Sequence, residues 1–315
     1  MSNATVSRLG QVNASGDANA IFLKTFSGEV LAAFKQQNKM LDMTFVKNIT
    51  SGKSSQFPVT GTIASSYHTV GNEILGTAVN HNEKVINIDD MLIAHAFLAE
   101  LDELKSHYSS RAIYSGEMGQ SLAKKVDQHL LQLVVLAARA SANVTGGNGG
   151  SAITDADADT NAGSLITSIF EAAEDLDDKN VPETDRFCVV TPNQYYNIVQ
   201  NDKILNRDFG GANGVYADGT VLKVAGINIV KSNSATTAFT DQSAAISGTN
   251  NTYNVDASTT EAVVFHKSAI GTVMLKSLAL ETTYDARRLG HLMVARMALG
   301  SGILRPEAAV EIKTA

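Results

Sequence analysis

The sequence is poor in the residues that build disulfide frameworks and thiolate metal sites. Its 315 residues include a single cysteine, Cys188. One cysteine excludes an internal disulfide and a zinc site made of several thiolates. Cys188 lies in the apolar run Arg186–Val190, which predicts a buried and unreactive thiol in a β-strand.

The sequence also lacks a long apolar run and an excess of basic residues. No stretch reaches the roughly 20 apolar residues that a membrane helix needs, and no basic-then-apolar segment typical of a signal peptide opens the sequence. We therefore expect a protein of cytoplasmic origin that does not enter a membrane. The net charge of −7 argues against a dedicated nucleic-acid binder, because such a protein presents a strongly basic face.

A phosphate-binding motif is present only in part. Ser51–Ser54 reads Ser-Gly-Lys-Ser, the end of such a loop. The full motif also has a glycine five residues before Gly52, and Lys47 occupies that position. Without this glycine the backbone amides cannot curl around phosphate groups. The motif therefore predicts no nucleotide cofactor.

A calcium-binding motif is also incomplete. Asp155–Asp159 alternates aspartate and alanine, as the beginning of an EF-hand loop does, but Thr160 replaces the turn glycine and Ile166 the bidentate glutamate. Weak calcium binding by this acidic loop stays open beside a solvated turn. Zinc-ligand spacing is missing among the histidines, and there is no serine-hydrolase elbow. The histidines are His68, His81, His95, His107, His129, His266 and His291. We expect no metal, no cofactor and no catalytic residue.

The early part of the chain contains segments without an evident core. Residues 1–20 are small and polar, and Ile21–Phe34 has the apolar spacing of an amphipathic helix. Residues 53–90 predict a long two-stranded hairpin, because residues 56–63 alternate in polarity and Glu83–Asp89 is rich in β-branched residues. A lone hairpin is marginal in water. We therefore expect it to rest on another subunit.

The longest helix is predicted between Ile93 and Ala142, with a possible break near His107. Leu130–Leu136 is apolar nearly all round, so this end of the helix should be buried on several sides. The glycine-rich run 143–150 should end it. The residues expected on one stripe of this helix are Leu104, Tyr108, Ser115, Met118, Leu122, Val126, His129, Leu133, Leu136 and Ala140.

The remaining chain predicts an α/β module followed by strands. The Ser-, Thr-, Ala- and Asn-rich residues 232–260 predict an exposed loop. Arg287 and Arg288, beside Asp285 and His291, are expected to pair across an interface rather than to catalyse a reaction, as is Arg305. The predicted elements are the helix Leu165–Leu176, the strand Phe187–Val190, the helix Asn193–Gln200 begun by Pro192, the strand pair Val221–Val230, and strands in 262–281 and 290–312.

Several blocks of the sequence resemble one family in the same order along nearly the whole chain. They are Phe22–Leu31, Ser51–Val59, Glu83–Asp89, Ala262–Glu281 and Gly302–Val310. Together they resemble the major capsid protein of T-seven-like short-tailed phages. The resemblance gives Ser51–Ser54 another role, as the beginning of an extended loop. Lys53 and Lys84 could in principle form Lys–Asn crosslinks, but the resemblance implies none.

The resemblance implies the α+β Hong Kong 97-type capsid fold. Its parts would be an N-terminal arm at 1–52, an extended β loop at 53–90, a peripheral domain with the spine helix at 91–161, an axial domain at 162–260, and peripheral C-terminal strands at 261–315. In that family the arm and the extended loop reach over neighbouring subunits.

The implied function is that of a major capsid protein rather than an enzyme. Subunits would assemble as pentamers and hexamers into an icosahedral shell that encloses double-stranded DNA, in the cytoplasm of the host bacterium. The implied partners are further copies of the chain, a scaffolding protein, a portal at one vertex, and DNA by non-specific contact only. The alternatives are another ring- or tube-forming phage structural protein, or a nucleotide- or calcium-dependent enzyme that uses Ser51–Ser54 or Asp155–Asp159.

Overall fold

The computed structural model of the chain describes residues 39–61, 63, 65–76, 78–105, 110–201, 214–215, 220–221 and 223–314. They form two compact units. The smaller unit contains residues 90–126 and 276–299, and the larger contains 39–89, 127–275 and 300–315. The amphipathic helix predicted at Ile21–Phe34 and the break predicted near His107 lie outside the described residues.

The helices are α1 (Glu100–Lys105), α2 (Ser110–Ala138), α3 (Ala162–Asp178), α4 (Pro192–Val199) and α5 (Asn233–Ala238), with 3₁₀ turns at Lys267–Ala269 and Pro306–Ala308. The first strands are β1 (Phe45–Asn48), β2 (Ser54–Thr60), β3 (His81–Asn87), β4 (Leu92–Ala99), β5 (Ser151–Thr154) and β6 (Arg186–Val190). Short strands follow as β7 (Gly214–Val215), β8 (Thr220–Val221), β9 (Lys223–Val224), β10 (Ile227–Lys231), β11 (Asp241–Gln242) and β12 (Val255–Asp256). The last strands are β13 (Thr260–His266), β14 (Ile270–Asp285), β15 (Gly290–Ile303) and β16 (Ala309–Lys313).

The core of the larger unit is a six-stranded mixed sheet in the order β5–β16–β13–β6–β10–β9. β16 runs parallel to β5 and antiparallel to β13, while β6 and β10 are parallel neighbours. Val189, Val264 and Phe265 are fully buried in the central strands. Central strands are covered on both faces, so their sequences are continuously apolar rather than alternating.

Two helices of this unit begin at the residues that the sequence indicates. Asn161 caps α3, and its side-chain oxygen accepts hydrogen bonds from the backbone N–H groups of Gly163 and Ser164. Thr191 caps α4, with Pro192 at the first helical position, where a missing N–H costs nothing. α3 packs on β16 through its apolar side.

β2 and β3 form the predicted two-stranded hairpin. They pair antiparallel from Ser54 opposite Asn87 to Thr60 opposite His81. At the root of the hairpin, Ile86 is buried with Val273 and Leu304. β1 precedes the hairpin and pairs in parallel with the beginning of β14.

The smaller unit corrects the predicted helix boundary. Leu92–Ala99 forms strand β4 rather than helix, and it pairs antiparallel with β15 from Ala99 opposite Gly290 to Leu92 opposite Met297. The segment is a short apolar run, which fits a strand as well as a helix. Leu104, predicted on the apolar stripe of the long helix, lies in the separate six-residue helix α1 and is exposed.

Helix α2 confirms the central part of the predicted helix. Met118, Leu122, Val126 and Leu133 are buried, and Leu130–Val135 is buried nearly all round. The helix ends at Ala138, shortly before the glycine-rich run 143–150. The predicted end at Ala142 was therefore one turn too late.

The segment 232–260 is not the exposed loop that its composition predicts. It contains α5, β11 and β12, and it buries Ala235, Tyr253, Val255 and Ala257. Its Ser and Asn side chains bind backbone groups: Ser232 caps α5 by accepting a hydrogen bond from the Ser234 amide, and Asn251 donates to the distant Asn87 carbonyl. Small and polar residues here serve capping and turns rather than solvation.

Candidate functional site

The most exposed apolar surface of the larger unit lies beyond the β2–β3 hairpin. Residues 61–80 carry Ile63, Tyr67, Val70, Ile74 and Leu75, each at least 74% exposed. Soluble proteins normally bury large apolar side chains or cover them with a partner. This segment, hereafter the extended loop, therefore offers an interaction surface rather than a part of the subunit's own core.

The β2–β3 hairpin is also held to the rest of the larger unit at the end away from its root. The Asn80 side chain donates to the Thr145 carbonyl at 3.1 Å, and the Asn82 side chain donates to the Asn143 carbonyl at 2.5 Å. Both contacts reach the glycine-rich run that follows α2. They hold the junction between β3 and the extended loop, whereas the described residues among 63–79 make no such hydrogen bond to the rest of the larger unit.

Ser51–Ser54 lies in the connection between two strands. β1 precedes it, β2 begins at Ser54, and Gly52 has a φ of +113°. A phosphate-binding loop instead joins a buried strand to the N-terminus of a helix, where backbone N–H groups converge. All residues of β1 are exposed, and the next element is a strand. This geometry favours the role of entry to the extended loop.

Asp155 is used within the fold rather than kept for a calcium ion. Its carboxylate accepts hydrogen bonds from the Ser164 and Ser168 hydroxyls at 2.6 and 2.8 Å and from the Asp157 amide at 3.1 Å. These hydrogen bonds lower its pKa. The segment therefore forms the turn that leads into α3. In the described part of the chain, no group of three or more His, Cys, Asp or Glu side chains could hold a metal ion.

Cys188 lies in the middle of β6, as predicted, and is fully buried. Burial raises its pKa to about 12. A nucleophilic cysteine needs a lowered pKa and some exposure, so this thiol is suited to packing alone. Among the described helices, none has the length and apolarity needed to cross a bilayer.

The arginines singled out in the sequence lie at the surface. Arg288 pairs with Asp285 at 3.0 Å in the turn between β14 and β15, and the Arg287 amide donates to the same carboxylate. The pairing of Arg305 with Glu307 is loose, at 3.8 Å. Exposed pairs of this kind stabilise a subunit little. Their expected role in contacts between subunits remains a prediction.

An ion pair between a partly exposed arginine and a buried glutamate in the larger unit was missed by sequence reasoning. Arg139, just after α2, donates two hydrogen bonds to the carboxylate of Glu311 in β16, at 2.7 and 2.6 Å. The Thr260 hydroxyl donates to the same carboxylate, and Arg139 also donates to the Asp256 carbonyl. Glu311 lies between valine and isoleucine in an apolar run. This pattern does not indicate that the glutamate itself is buried.

A second missed anchor joins the beginning of the described chain to α2. The Asp127 carboxylate accepts hydrogen bonds from the backbone N–H groups of Lys39 and Met40, at 3.2 and 3.1 Å. Burial raises the pKa of Asp127 to about 6, although these two hydrogen bonds act in the opposite direction. The Lys39 ammonium donates to the Lys231 carbonyl at 3.1 Å.

The chain is similar to known phage proteins along most of its length. A family model described as Gp10A-like major capsid protein matches residues 56–313. The chain is 31% identical to the major capsid protein of Enterobacteria phage T3, with 95% of this chain and 93% of that protein aligned. It is 29% identical to the major capsid protein of Escherichia phage T7, with the same shares aligned.

Solved capsid structures share the fold. Similarity to a chain in the capsid of Cyanophage P-SCSP1u has a TM-score of 0.84 at 43% identity and covers 100% of this chain and 99% of that one. Similarity to the mature capsid of bacteriophage PhiM1 has a TM-score of 0.75 at 22% identity and covers 97% and 96% of the two chains. The second similarity concerns the fold alone.

Proposed function

The chain belongs to the Gp10A-like major capsid protein family, and we propose on that basis how its described surfaces join subunits into a shell. It is a structural protein of a phage capsid with the Hong Kong 97-type fold, and it is not an enzyme. Copies of the chain assemble into the shell. The surfaces, domains and partners that take part in this assembly are our proposal.

The exposed apolar side chains of the extended loop carry the proposal. Burying one such side chain contributes about 1.5–3 kcal/mol. Covering Ile63, Tyr67, Val70, Ile74 and Leu75 would contribute roughly 10 kcal/mol per subunit before the entropy cost of ordering the segment is subtracted. A neighbouring copy is the partner that every subunit of a shell has. We therefore assign the extended loop to contacts with that copy.

The domain division proposed for assembly follows the sequence blocks. Residues 1–52 form the arm, 53–90 the β hairpin together with its extended loop, 91–161 and 261–315 the peripheral domain, and 162–260 the axial domain around the symmetry axis of each capsomer. The hairpin formed by β2 and β3 and the helix α2 support this division. Pentamers and hexamers of such subunits would close into an icosahedral shell around double-stranded DNA.

Other partners follow from the same role. A scaffolding protein would guide assembly in the host bacterial cytoplasm, and a portal would occupy one vertex. The net charge of −7 supports contacts with DNA that are non-specific and few. None of these partners requires a cofactor or a metal ion.

Electron microscopy of the chain co-expressed with its scaffolding protein tests the proposal. The wild type should form closed shells. The triple variant Ile63→Ser, Ile74→Ser and Leu75→Ser should form few or none, because it removes the apolar surface of the extended loop. The matched variant Ser65→Ala, Ser66→Ala and Asn72→Ala changes polar residues of the same loop and should assemble normally. Tubes or persistent monomers of the wild type would contradict the shell, and normal assembly of the apolar variant would contradict the role of the loop.

A further inference from the structure

The segment Asn250–Tyr253 binds the chain at the root of the β2–β3 hairpin. Its contacts converge on three consecutive residues: Asn87, the last residue of β3, and Ile88 and Asp89, which follow it. This places residues more than 160 positions apart against one another. We call Asp89, Asn250, Asn251 and Tyr253 the Asp89 network.

Asp89 is the centre of these contacts. One of its carboxylate oxygens accepts hydrogen bonds from the Asn250 and Asn251 amides, at 2.7 and 3.2 Å, and from the Asn251 side chain at 2.9 Å. The other oxygen accepts a hydrogen bond from the Tyr253 hydroxyl at 2.5 Å. Hydrogen bonds to a carboxylate are roughly twice as strong as neutral ones. The carboxylate therefore binds the 250–253 segment firmly.

The asparagine side chains bind the backbone of the same root. Asn251 pairs with Asn87 in both directions: its Nδ2 donates to the Asn87 carbonyl at 2.7 Å, and its Oδ1 accepts from the Asn87 amide at 3.3 Å. The Asn250 side chain donates to the Ile88 carbonyl at 2.7 Å. These bonds fix the orientation of successive peptide groups and hence the direction of the chain that leads out of β3.

Tyr253 connects the root to rigid parts of the larger unit. Its hydroxyl accepts a hydrogen bond from the Ser301 amide of β15 at 2.9 Å, and its ring stacks on His129 of α2 at 4.7 Å. The side chain is only 1% exposed. The root of the hairpin is thereby joined to a helix and a strand that cannot shift independently of the core.

We propose that the Asp89 network sets the direction in which the hairpin and its extended loop leave the subunit, and that a uniform shell depends on it. The dependence of a uniform shell on this network rests on the proposed function. The far end of the hairpin is bound through Asn80 and Asn82, so a loosened root would change the tilt of the hairpin about these contacts and with it the position of the extended loop. A subunit with a loosened root would therefore present its apolar residues to a neighbour in varied geometries.

Hydrogen exchange on the full-length chain tests the first part. Asn251→Ala removes the contacts with Asn87, and Tyr253→Phe keeps the ring and removes only the hydroxyl. We expect exchange in peptides covering 54–60 and 81–87 to become roughly threefold to tenfold faster, as the loss of one or two hydrogen bonds predicts. Exchange in β6 should not change. Asn254→Ala is the matched control, because this half-buried asparagine follows the segment directly and, among the described residues, donates only to the Ser243 carbonyl, at 3.4 Å.

Electron microscopy of the same variants, co-expressed with the scaffolding protein, tests the second part. We expect Asn251→Ala and Tyr253→Phe to give particles of broader diameter distribution than the wild type and Asn254→Ala. Unchanged exchange in Tyr253→Phe would overturn the proposal even if Asn251→Ala does not fold, and unchanged particle diameters would overturn its second part. A wild type that forms no shells would contradict the proposed function, while the exchange result would still decide whether the network holds the hairpin.

Discussion

The guanidinium group of Arg139 and the carboxylate of Glu311 face each other as a two-pronged pair, with N–O distances of 2.7 and 2.6 Å. The Glu311 side chain is fully buried, whereas that of Arg139 keeps 34% of its exposure. The pair joins the residue after α2 to the strand β16. Because the carboxylate has no access to water, its negative charge is stabilised by Arg139 and by the hydrogen bond from the Thr260 hydroxyl.

Arg139→Met should lower the free energy of unfolding by about 3–5 kcal/mol, because it leaves a buried carboxylate without a countercharge. The double variant Arg139→Met and Glu311→Leu should regain much of this loss. Urea unfolding of the unassembled subunit measures both. Arg288→Ala, which removes the exposed pair with Asp285, should cost less than about 1 kcal/mol. An equal loss of unfolding free energy in Arg139→Met and Arg288→Ala would show that the Glu311 carboxylate does not depend on Arg139 for its countercharge.

Asp127 should make stability rise as the pH falls. Its pKa is about 6 in the folded chain and 3.8 ordinarily. The folded state therefore binds the proton more tightly, so this group lowers stability above pH 6 and ceases to do so as the pH falls from about 6 to 4. Relative to Asp127→Asn, the wild type should gain up to about 3 kcal/mol between pH 7 and pH 4. Unfolding at several pH values measures the difference. Parallel profiles of wild type and Asp127→Asn would refute the assignment.

Gln132 should be replaceable with a gain in stability. Its side chain is fully buried in α2, and neither its Oε1 nor its Nε2 has a hydrogen-bond partner among the residues that the structure describes. A buried amide without partners costs about 1–3 kcal/mol. Gln132→Leu, of similar volume, should raise the free energy of unfolding by this amount in urea unfolding. Gln128→Leu, one turn earlier, should lower it, because Gln128 donates to Gln242 at 3.3 Å. A loss of stability in Gln132→Leu would mean that the amide finds partners after all.

Gly300 should not tolerate a side chain. A Cβ at this position would lie 1.8 Å from the Asn87 carbonyl oxygen, which is backbone and cannot turn aside. Gly300→Ala should therefore cost about 3 kcal/mol and displace the root of the hairpin. Gly76→Ala is a suitable control, since a Cβ there meets nothing within 4 Å. Thermal unfolding compares the two, and equal melting temperatures would contradict the close approach of β15 to Asn87.

The sequence was most informative where local pattern and tertiary structure agree. Pro192 and the apolar periodicity of 165–176 predicted α4 and α3, and alternation predicted β2. It was misleading at Leu92–Ala99, because the strand partner of this short apolar run lies nearly 200 residues later, in β15. Periodicity cannot show such a partner. The same separation concealed the burial of Tyr253, whose polar neighbours suggest a loop but bind the backbone of Asn87 and Ile88.

The interaction surface was predictable in outline only. A hairpin with little core of its own indicated a neighbour, and the resemblance named the family. Asp89, Asn251, Arg139 and Glu311 stayed hidden because each is a common polar residue whose partner is distant in sequence. Ser51–Ser54 matches the end of a phosphate-binding motif in sequence, but in the structure these residues connect two strands.

Strand β16 lies between β5 and β13, although it is the last of the described strands along the chain. A ribosome has therefore produced every other element of the six-stranded sheet before the strand that closes it emerges. Until then, β5 and β13 have unpaired edges facing a vacant place in the sheet. Such late, non-local pairing is slow and exposes the nascent chain to aggregation. The six-stranded sheet should thus close only once β16 has emerged, which places the folding of the subunit core after the synthesis of all its other strands.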